Sequence, residues 1–341
     1  MARLPFKREY AISSTFGKGH HLHLIDGSAY IFRAYHALPP LTRQSDGLPV
    51  GAVAGFCNIL WNELSNGKRS EAATHIAVVF DYSSKTFRND IYPQYKANRP
   101  PPPEDLRPQF PLTRDATRAF NVACLEVEGF EADDIIATLA RQAVNAGGSC
   151  TIISSDKDLM QLVRPGIDMF DPMKNRPIGP DEVVEKFGVP PERVVDVQSL
   201  AGDSTDNVPG APGIGLKTAA LLIQEYGDLD TLLARAGEIR QPKRREALVD
   251  NADLIRISRQ LVLLKDDAPV PATLDELAIT PPDPDKLLKF LTDMEFRSIS
   301  RRVAERLKVA IPSIAATTPE DKPQAQEEAQ KTDPTGQPTP E

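Results

Sequence analysis

HLHLID, at residues 21–26, is the stretch on which the fold turns: a short apolar-rich run that ends on an acid, Asp26. The same shape recurs in HIAVVFD at 75–81, ending on Asp81, and in CTIISSD at 150–156, ending on Asp156. Runs this short and continuous suit strands covered on both faces, as in a parallel sheet. A fourth run, at 166–170 before Asp171, predicts one more strand. Between the runs lie helical patterns, among them 51–65 and 134–145. Alternation of this kind predicts an α/β fold with a mainly parallel central sheet. In such sheets the carboxyl ends of the strands share one edge, where ligands collect. Asp26, Asp81 and Asp156 are therefore expected to converge.

Further acids point the same way. EGFEADDIIATLA, at 128–140, opens a helix with Glu131, Asp133 and Asp134. The helix dipole accounts for one or two acids in a first turn but poorly for three. Glu131 and Asp134, three apart, face one side of the helix. Asp156 and Asp158 flank Lys157, and two residues apart in extended chain point the same way. Asp203 and Asp206 sit three apart where a helix runs into a loop. A single aspartate after a strand is weak evidence, because it can simply cap a helix; the combination is far more specific. Carboxylates gathered together repel, and their pKa values rise unless cations are bound. Oxygen donors suit Mg2+ or Mn2+, whereas histidine and cysteine are missing from these positions, which disfavours zinc. Two such ions about 4 Å apart can activate water and stabilise a leaving oxygen in phosphodiester cleavage.

The 341 residues, 40% hydrophobic and 26% charged, are ordinary for a globular protein of two domains. No run approaches the roughly 20 apolar residues of a membrane span. Residues 1–21 carry basic side chains but no continuous apolar core, so they read as a loose extension and not a signal peptide. Cys57, Cys124 and Cys150 are far apart and odd in number, which argues for a reducing cytoplasm. Cys57 and Trp61 fall on an apolar helix face and are expected in the core. The net charge of −8 is uneven: residues 319–341 hold six acids and two lysines, and away from that tail and the candidate ligands the chain is net positive.

Two segments suggest a polyanionic substrate. Residues 83–110, SSKTFRNDIYPQYKANRPPPPEDLRPQF, contain five cations and four consecutive prolines. A polar insertion this long after a core strand reads as a functional loop or arch. From about 180 the patterns are helical, at 192–201, 216–226, 251–264 and 285–291, and the second of these is stopped by Gly227. Between the first two lies GDSTDNVPGAPGIGLKTA. Gly213 and Gly215 permit close backbone approach, and Lys217 with Thr218 opens a helix whose amides can meet a phosphate. This is a helix-hairpin-helix pattern, suited to duplex binding without sequence preference. The organisation expected is an extension at 1–21, a catalytic α/β domain at 22–180 with its arch at about 83–110, and a helical DNA-binding region at 181–311 with the hairpin at about 192–226. A Pro-, Gln-, Thr- and Glu-rich tail or linker at 312–341 completes it.

LIDGSAYIFRAYHAL (24–38), VVFDYSSKTFRNDIYPQYKANRPPPPEDLRPQ (78–109), EGFEADDIIATLA (128–140), ISSDKDLMQL (153–162) and AGDSTDNVPGAPGIGLKTAALL (201–222) together resemble the flap endonuclease family. The form they resemble is the 5′–3′ exonuclease of bacterial DNA polymerase I. The resemblance implies a PIN-like 5′-nuclease fold with a helical arch and a duplex-binding helical region. It implies two metal sites, the first of Asp26, Asp81, Glu131 and Asp133 with Asp134 adjacent, the second of Asp156, Asp158, Asp203 and Asp206. Lys96 and Arg99 match arch residues that hold the scissile phosphate, and Arg88 and Arg33 resemble cations on the same path. Tyr92 resembles an aromatic that packs on substrate, although loop packing explains it as well; His36 matches a family position but is expected to be a core histidine. The implied substrates are DNA with 5′ flaps, nicks or RNA primers, in primer removal and repair. A K+ ion held by carbonyls at 211–214, a monomeric state, a nucleoid-associated cytoplasmic location and a covalently following polymerase also belong to the resemblance. The sequence also admits two rival functions, a PIN-type ribonuclease and a non-catalytic branched-DNA module. A PIN-type ribonuclease usually lacks the arch and the hairpin, and a non-catalytic branched-DNA module typically lacks some of the acids.

Overall fold

The computed structural model describes residues 15–66 and 72–311; most of the expected N-terminal extension, and the whole tail at 312–341, lie outside the described residues. The strands are β1 (His21–Asp26), β2 (His75–Val79), β3 (Ala123–Leu125), β4 (Ser149–Ile153), β5 (Ile167–Asp171) and β6 (Arg176–Ile178). They form one sheet in the order β3-β2-β1-β4-β5-β6, parallel throughout except for the antiparallel edge strand β6. The four expected strands are all present. β3 and β6 are additions of three residues each, too short to give a periodic signal.

The helices in the first half are α1 (Gly27–Ala37), α2 (Gly51–Asn66), α3 (Phe87–Ile91), α4 (Gln109–Ala119) and α5 (Ala132–Asn145). Those in the second are α6 (Pro180–Phe187), α7 (Val194–Ala201), α8 (Leu216–Tyr226), α9 (Leu229–Ala234), α10 (Pro242–Asp250), α11 (Ala252–Val262), α12 (Pro284–Asp293) and α13 (Arg297–Leu307). Among the described residues no helix is long and apolar enough to cross a membrane.

The central strands β1 and β2 are buried at every position, and their side chains alternate between two cores. Leu22 and Leu24 of β1 with Ala77 and Val79 of β2 face α5, and that core runs on without a break into α7, α8 and α11 through Leu200, Ile223 and Ile255. Ile25, Ile76 and Val78 face the other way, onto Phe56, Cys57, Leu60 and Trp61 of α2 and onto Leu287 and Leu291 of α12. Cys57 and Trp61 are core residues, as expected. His36 is not: it is exposed in the last turn of α1, its ring set edge-on to Tyr35. The buried stripe of α1 is Gly27, Tyr30, Ile31 and Ala34, and a residue two positions past Ala34 points about 200° away from it. Because the sheet and the hairpin helices share one core, the acids carried by both are held in a fixed relation.

Candidate active site

The parallel register of β1, β2 and β4 brings their carboxyl ends to one edge. Asp26 ends β1 and caps α1: its Oδ1 accepts from the Ala29 amide at 3.0 Å and its Oδ2 from the Ser154 hydroxyl at 2.7 Å. Asp81, just past β2, accepts from the Ser28 hydroxyl at 2.8 Å and from the Ala132 amide at 2.9 Å, which ties it to the start of α5. Past β4 the chain curls, so that Asp156 accepts from the Asp158 amide at 2.9 Å while its own amide donates to Ser154 Oγ at 3.0 Å. Asp158 accepts from Gln198 of α7 at 2.5 Å. Asp203 and Asp206 follow α7 on a loop closed by the Asp203–Val208 bridge.

These residues line one open cleft of about 550 Å3. Eight of the nine expected acids are there: Asp26, Asp81, Glu131, Asp133, Asp156, Asp158, Asp203 and Asp206. The ninth, Asp134, does not line it. Asp134 is fully buried, and its oxygens accept from both terminal nitrogens of Arg88, at 2.7 and 2.8 Å. The amides of Glu131 and Lys265 complete its shell, at 3.1 and 2.8 Å. The i, i+3 relation to Glu131 holds, but it is spent on a capping box that turns Asp134 inward.

Cations close the cleft from the segment at 83–110. Lys96 donates to Glu131 at 2.8 Å and lies 3.9 Å from Asp206; Arg99 meets Asp206 at 2.5 Å. Lys96 is also in the left-handed backbone region, at φ 56°, with its amide on the Asp206 carbonyl at 2.8 Å. A lysine held there carries strain of about 1–2 kcal/mol, which the neighbouring contacts sustain while aiming its ammonium into the cleft. Arg88 touches the cleft wall but is 1% exposed, and its Nε also donates to the Leu261 carbonyl of α11 at 2.7 Å. Arg33, half-buried on α1, does not line the cleft. Tyr92 packs with Tyr95, Val208, Leu261 and Val262 in a small apolar cluster at the base of the segment. In the hairpin, Gly213 (φ 76°) and Gly215 have open space where a side chain would stand, Lys217 is exposed and Thr218 half-buried at the start of α8.

The electrostatics show what the acids lack. Burial first, and then the charges of Asp156, Asp26, Asp81 and Glu131, push Asp133 well above the usual carboxylate range. Burial, helped by Asp156 and Asp81, raises Asp26 to about 6. Burial and Asp156 raise Asp158 to about 7, against the pull of Lys157 and Gln198. Asp203 goes the other way: burial raises it, but Lys157 donates to it and outweighs that, so it ends below its ordinary value. Among the described residues no three acids are drawn together tightly enough to cage a single ion without adjustment. The donor set nonetheless fits hard divalent cations: oxygen ligands only, in one cleft, carrying more negative charge than the lysines and arginines there offset.

A thermal-shift series tests that fit. Acids raised in the folded state hold protons that the unfolded chain has already lost, so between pH of roughly 4 and 7 they reduce folded-state stability as pH rises. A bound dication removes this penalty. Mg2+ or Mn2+ at about a hundred times its Kd should raise Tm by about 5–10 °C at pH 8. The increment should shrink as pH falls below about 6, where Asp26 and Asp158 take up protons. An increment that does not depend on pH would place the ions elsewhere.

The loop carrying Asp203 and Asp206 depends on two glycines. Gly202 and Gly210 have φ of 68° and 62°, and a Cβ on Gly210 would stand 2.5 Å from the Gly202 amide nitrogen. Both are backbone positions that cannot yield. Gly210→Ala should therefore lower stability by about 2 kcal/mol or more and weaken divalent-ion binding with it, measured by denaturant unfolding and Mn2+ titration.

Several residues of the site are given no role by the sequence alone. Ser28, Ser154 and Lys157 adjoin the strand-end acids, and that adjacency was a usable signal. Gln198 and Arg114, whose guanidinium donates to the Asp81 carbonyl at 2.7 Å, reach in from distant helices and gave none.

The family described as 5′–3′ exonuclease, N-terminal resolvase-like domain, matches residues 21–188, and that described as 5′–3′ exonuclease, C-terminal SAM fold, matches 189–285. DNA polymerase I of Rhizobium leguminosarum is 60% identical over 298 residues, covering 86% of this chain and 29% of the relative. This chain spans about a third of the length of such relatives, as with DNA polymerase I of Bacillus caldotenax, of which it covers 32%. A 5′–3′ exonuclease of Aquifex aeolicus is 35% identical over 282 residues, covering 83% of this chain and 94% of the relative. Among solved structures, the zinc-bound T5 5′-exonuclease superposes with a TM-score of 0.59 at 20% identity, over 85% of this chain and 99% of that one. The catalytic core of Rad2 in complex with DNA substrate does so with 0.53 at 17%, over 88% and 95%. These two show a shared fold. Matched by both family descriptions across residues 21–285, and to a relative over nearly all of that relative's length, the chain belongs to the 5′–3′ exonuclease family.

Proposed function

We propose that this 5′–3′ exonuclease hydrolyses DNA phosphodiester bonds at 5′ flaps, nicks and RNA-primed 5′ ends, using two divalent ions, Mg2+ or Mn2+. The observation that carries this reading is the convergence of eight carboxylates, from five separate stretches of chain, in one cleft that Lys96 and Arg99 border. Asp26, Asp81, Glu131 and Asp133 would hold one ion, and Asp156, Asp158, Asp203 and Asp206 the other. When bound, such ions supply the charge that activates water and stabilises the leaving oxygen.

The chain's own residues place the substrate. Lys96 and Arg99 are ion-paired to Glu131 and Asp206, and a phosphodiester entering the cleft would draw both cations onto its oxygens. Arg88 and Asp134 neutralise one another and act as positioning residues, tying α3, α5 and α11 together. Tyr92 supports the base of the arch from below. Gly213, Gly215, Lys217 and Thr218 offer exposed amides and a cation to one phosphate backbone, and a K+ ion at the carbonyls of 211–214 belongs to the same reading. Arg33 would contact the strand outside the cleft. A polymerase following in the same chain is supported by the DNA polymerase I relatives, of which this chain covers about a third; a monomer in the nucleoid-associated cytoplasm belongs to the same proposal.

The test is cleavage of a 5′-labelled flap in Mg2+. Cutting near the branch that stops in EDTA supports the reading. Tight flap binding without cleavage in either Mg2+ or Mn2+ would reduce the protein to a binding module.

A further inference from the structure

Residues 240–245, RQPKRR, place four cations and no acid in six positions of a chain whose formal charge is −8. Arg240 precedes α10, and Lys243, Arg244 and Arg245 lie in its first turn. Arg240 and Lys243 are exposed, while Arg244 and Arg245 are half-buried. The side chain of Arg245 donates to the Ile239 carbonyl at 3.1 Å. Among the described residues none of the four has an acidic partner. The surrounding arginines do: Arg235 pairs with Glu238, Arg256 with Asp253 and Arg259 with Asp230.

The ordinary explanation of a charged run is a solvated face. It accounts for mixed charge, as on α11, but not for four unpaired charges of one sign. Nor does local electrostatics favour them. Cations in a first turn oppose the helix dipole, and this turn has no acid to offset them. The helix also buries very little, only Leu248 fully, so its outer surface is free of demands from the core. No large aromatic or other anchor stands among the four cations of the kind that protein partners need. Dense, unpaired cations without an apolar anchor suit a phosphate backbone.

None of the four lines the cleft. They sit on the helical half of the molecule, where α10 packs on α11 and α11 packs on α7 of the hairpin. We propose that residues 240–245 form a second duplex-binding surface, taking backbone phosphates of a substrate arm outside the cleft. This rests on the nuclease reading above and adds to it a contact that neither the cleft nor the hairpin makes.

The experiment measures binding of the full chain to a 5′-flap DNA across a salt series, with Ca2+ in place of Mg2+ to prevent cutting. Lys243→Glu with Arg244→Glu should weaken Kd at about 50 mM salt by about tenfold or more, and should reduce the slope of log K against log salt by about 2. In Mg2+ the KM for the flap should rise while kcat at saturation is retained, because no cleft residue changes. Lys243→Gln with Arg244→Gln should show the same pattern at reduced size, with a far-ultraviolet spectrum and Tm like the parent's; it carries the test if the charge reversal fails to fold. An unchanged slope in both variants overturns the proposal. So does loss of binding to an oligoglutamate peptide with the DNA slope intact, which would give the surface to an acidic polypeptide. A parent protein that bound no flap at all would instead sink the nuclease reading itself.

Discussion

Asp133→Asn should lower kcat on a 5′-flap substrate by about a thousandfold while making the metal-free protein more stable. The two effects have one cause. Burial and the charges of Asp156, Asp26, Asp81 and Glu131 press on the Asp133 carboxylate from several sides. An amide of the same shape relieves that repulsion and should raise Tm in EDTA at pH 8. It also removes an anionic ligand from the centre of the cleft. Ion-based stabilisation of a transition state amounts to several kcal/mol, and each 1.36 kcal/mol is tenfold in rate, hence about 10³. Steady-state kinetics and thermal unfolding in EDTA check the pair. If Asp133→Asn kept its rate, or lost it only through misfolding, Asp133 would be a structural acid.

Arg88→Met should cost about 3–5 kcal/mol of stability. Arg88 is 1% exposed and Asp134 is fully buried, so removal of the guanidinium strands a carboxylate in the interior. For a domain of this size that lowers Tm by about 6–15 °C. The same guanidinium holds the Leu261 carbonyl, so the change also loosens α11 against α3. Adding Asp134→Leu should recover much of the loss, because an apolar pair can replace a buried ion pair. Denaturant unfolding of the two single variants and the double variant gives the coupling. Additive losses would mean that the two side chains stabilise the fold independently.

Arg88 also marks the boundary between what the sequence disclosed and what it withheld. The strand-end acids were legible because the signal is local: an apolar run, then an aspartate, repeated along the chain. Parallel pairing of β1 with β2 and β4 then brings Asp26, Asp81 and Asp156 together with no further information. Glu131 and Asp133 were legible for a similar reason, as a surplus of acids at one helix start. The hairpin was marked by its glycines, and α8 does run over Leu216–Tyr226 with Gly227 as its cap.

Arg88, by contrast, lies in a polar, proline-rich stretch where every cation reads as available to DNA. Its partner is 46 residues away, and only the packing of α3 against α11 shows that it is buried. Asp134 was hidden in the same way, since i, i+3 spacing states which face of a helix is shared but not what covers that face. β3 escaped because Ala-Cys-Leu is too short to show a period. His36 is exposed because it lies off the buried stripe of α1, one turn beyond the exposed Phe32. For Arg88 and Asp134 the missing quantity was a long-range contact.

DNA hydrolysis as proposed depends on the cleft acids binding divalent ions where a phosphodiester can reach them. The most direct measurement is anomalous diffraction from crystals of the protein soaked in Mn2+. The expected result is two manganese ions, one at Asp26, Asp81, Glu131 and Asp133 and the other at Asp156, Asp158, Asp203 and Asp206, with the first lost in Asp133→Asn. Manganese absent from the cleft at millimolar concentration, together with flap cleavage that persists in EDTA, would contradict the account.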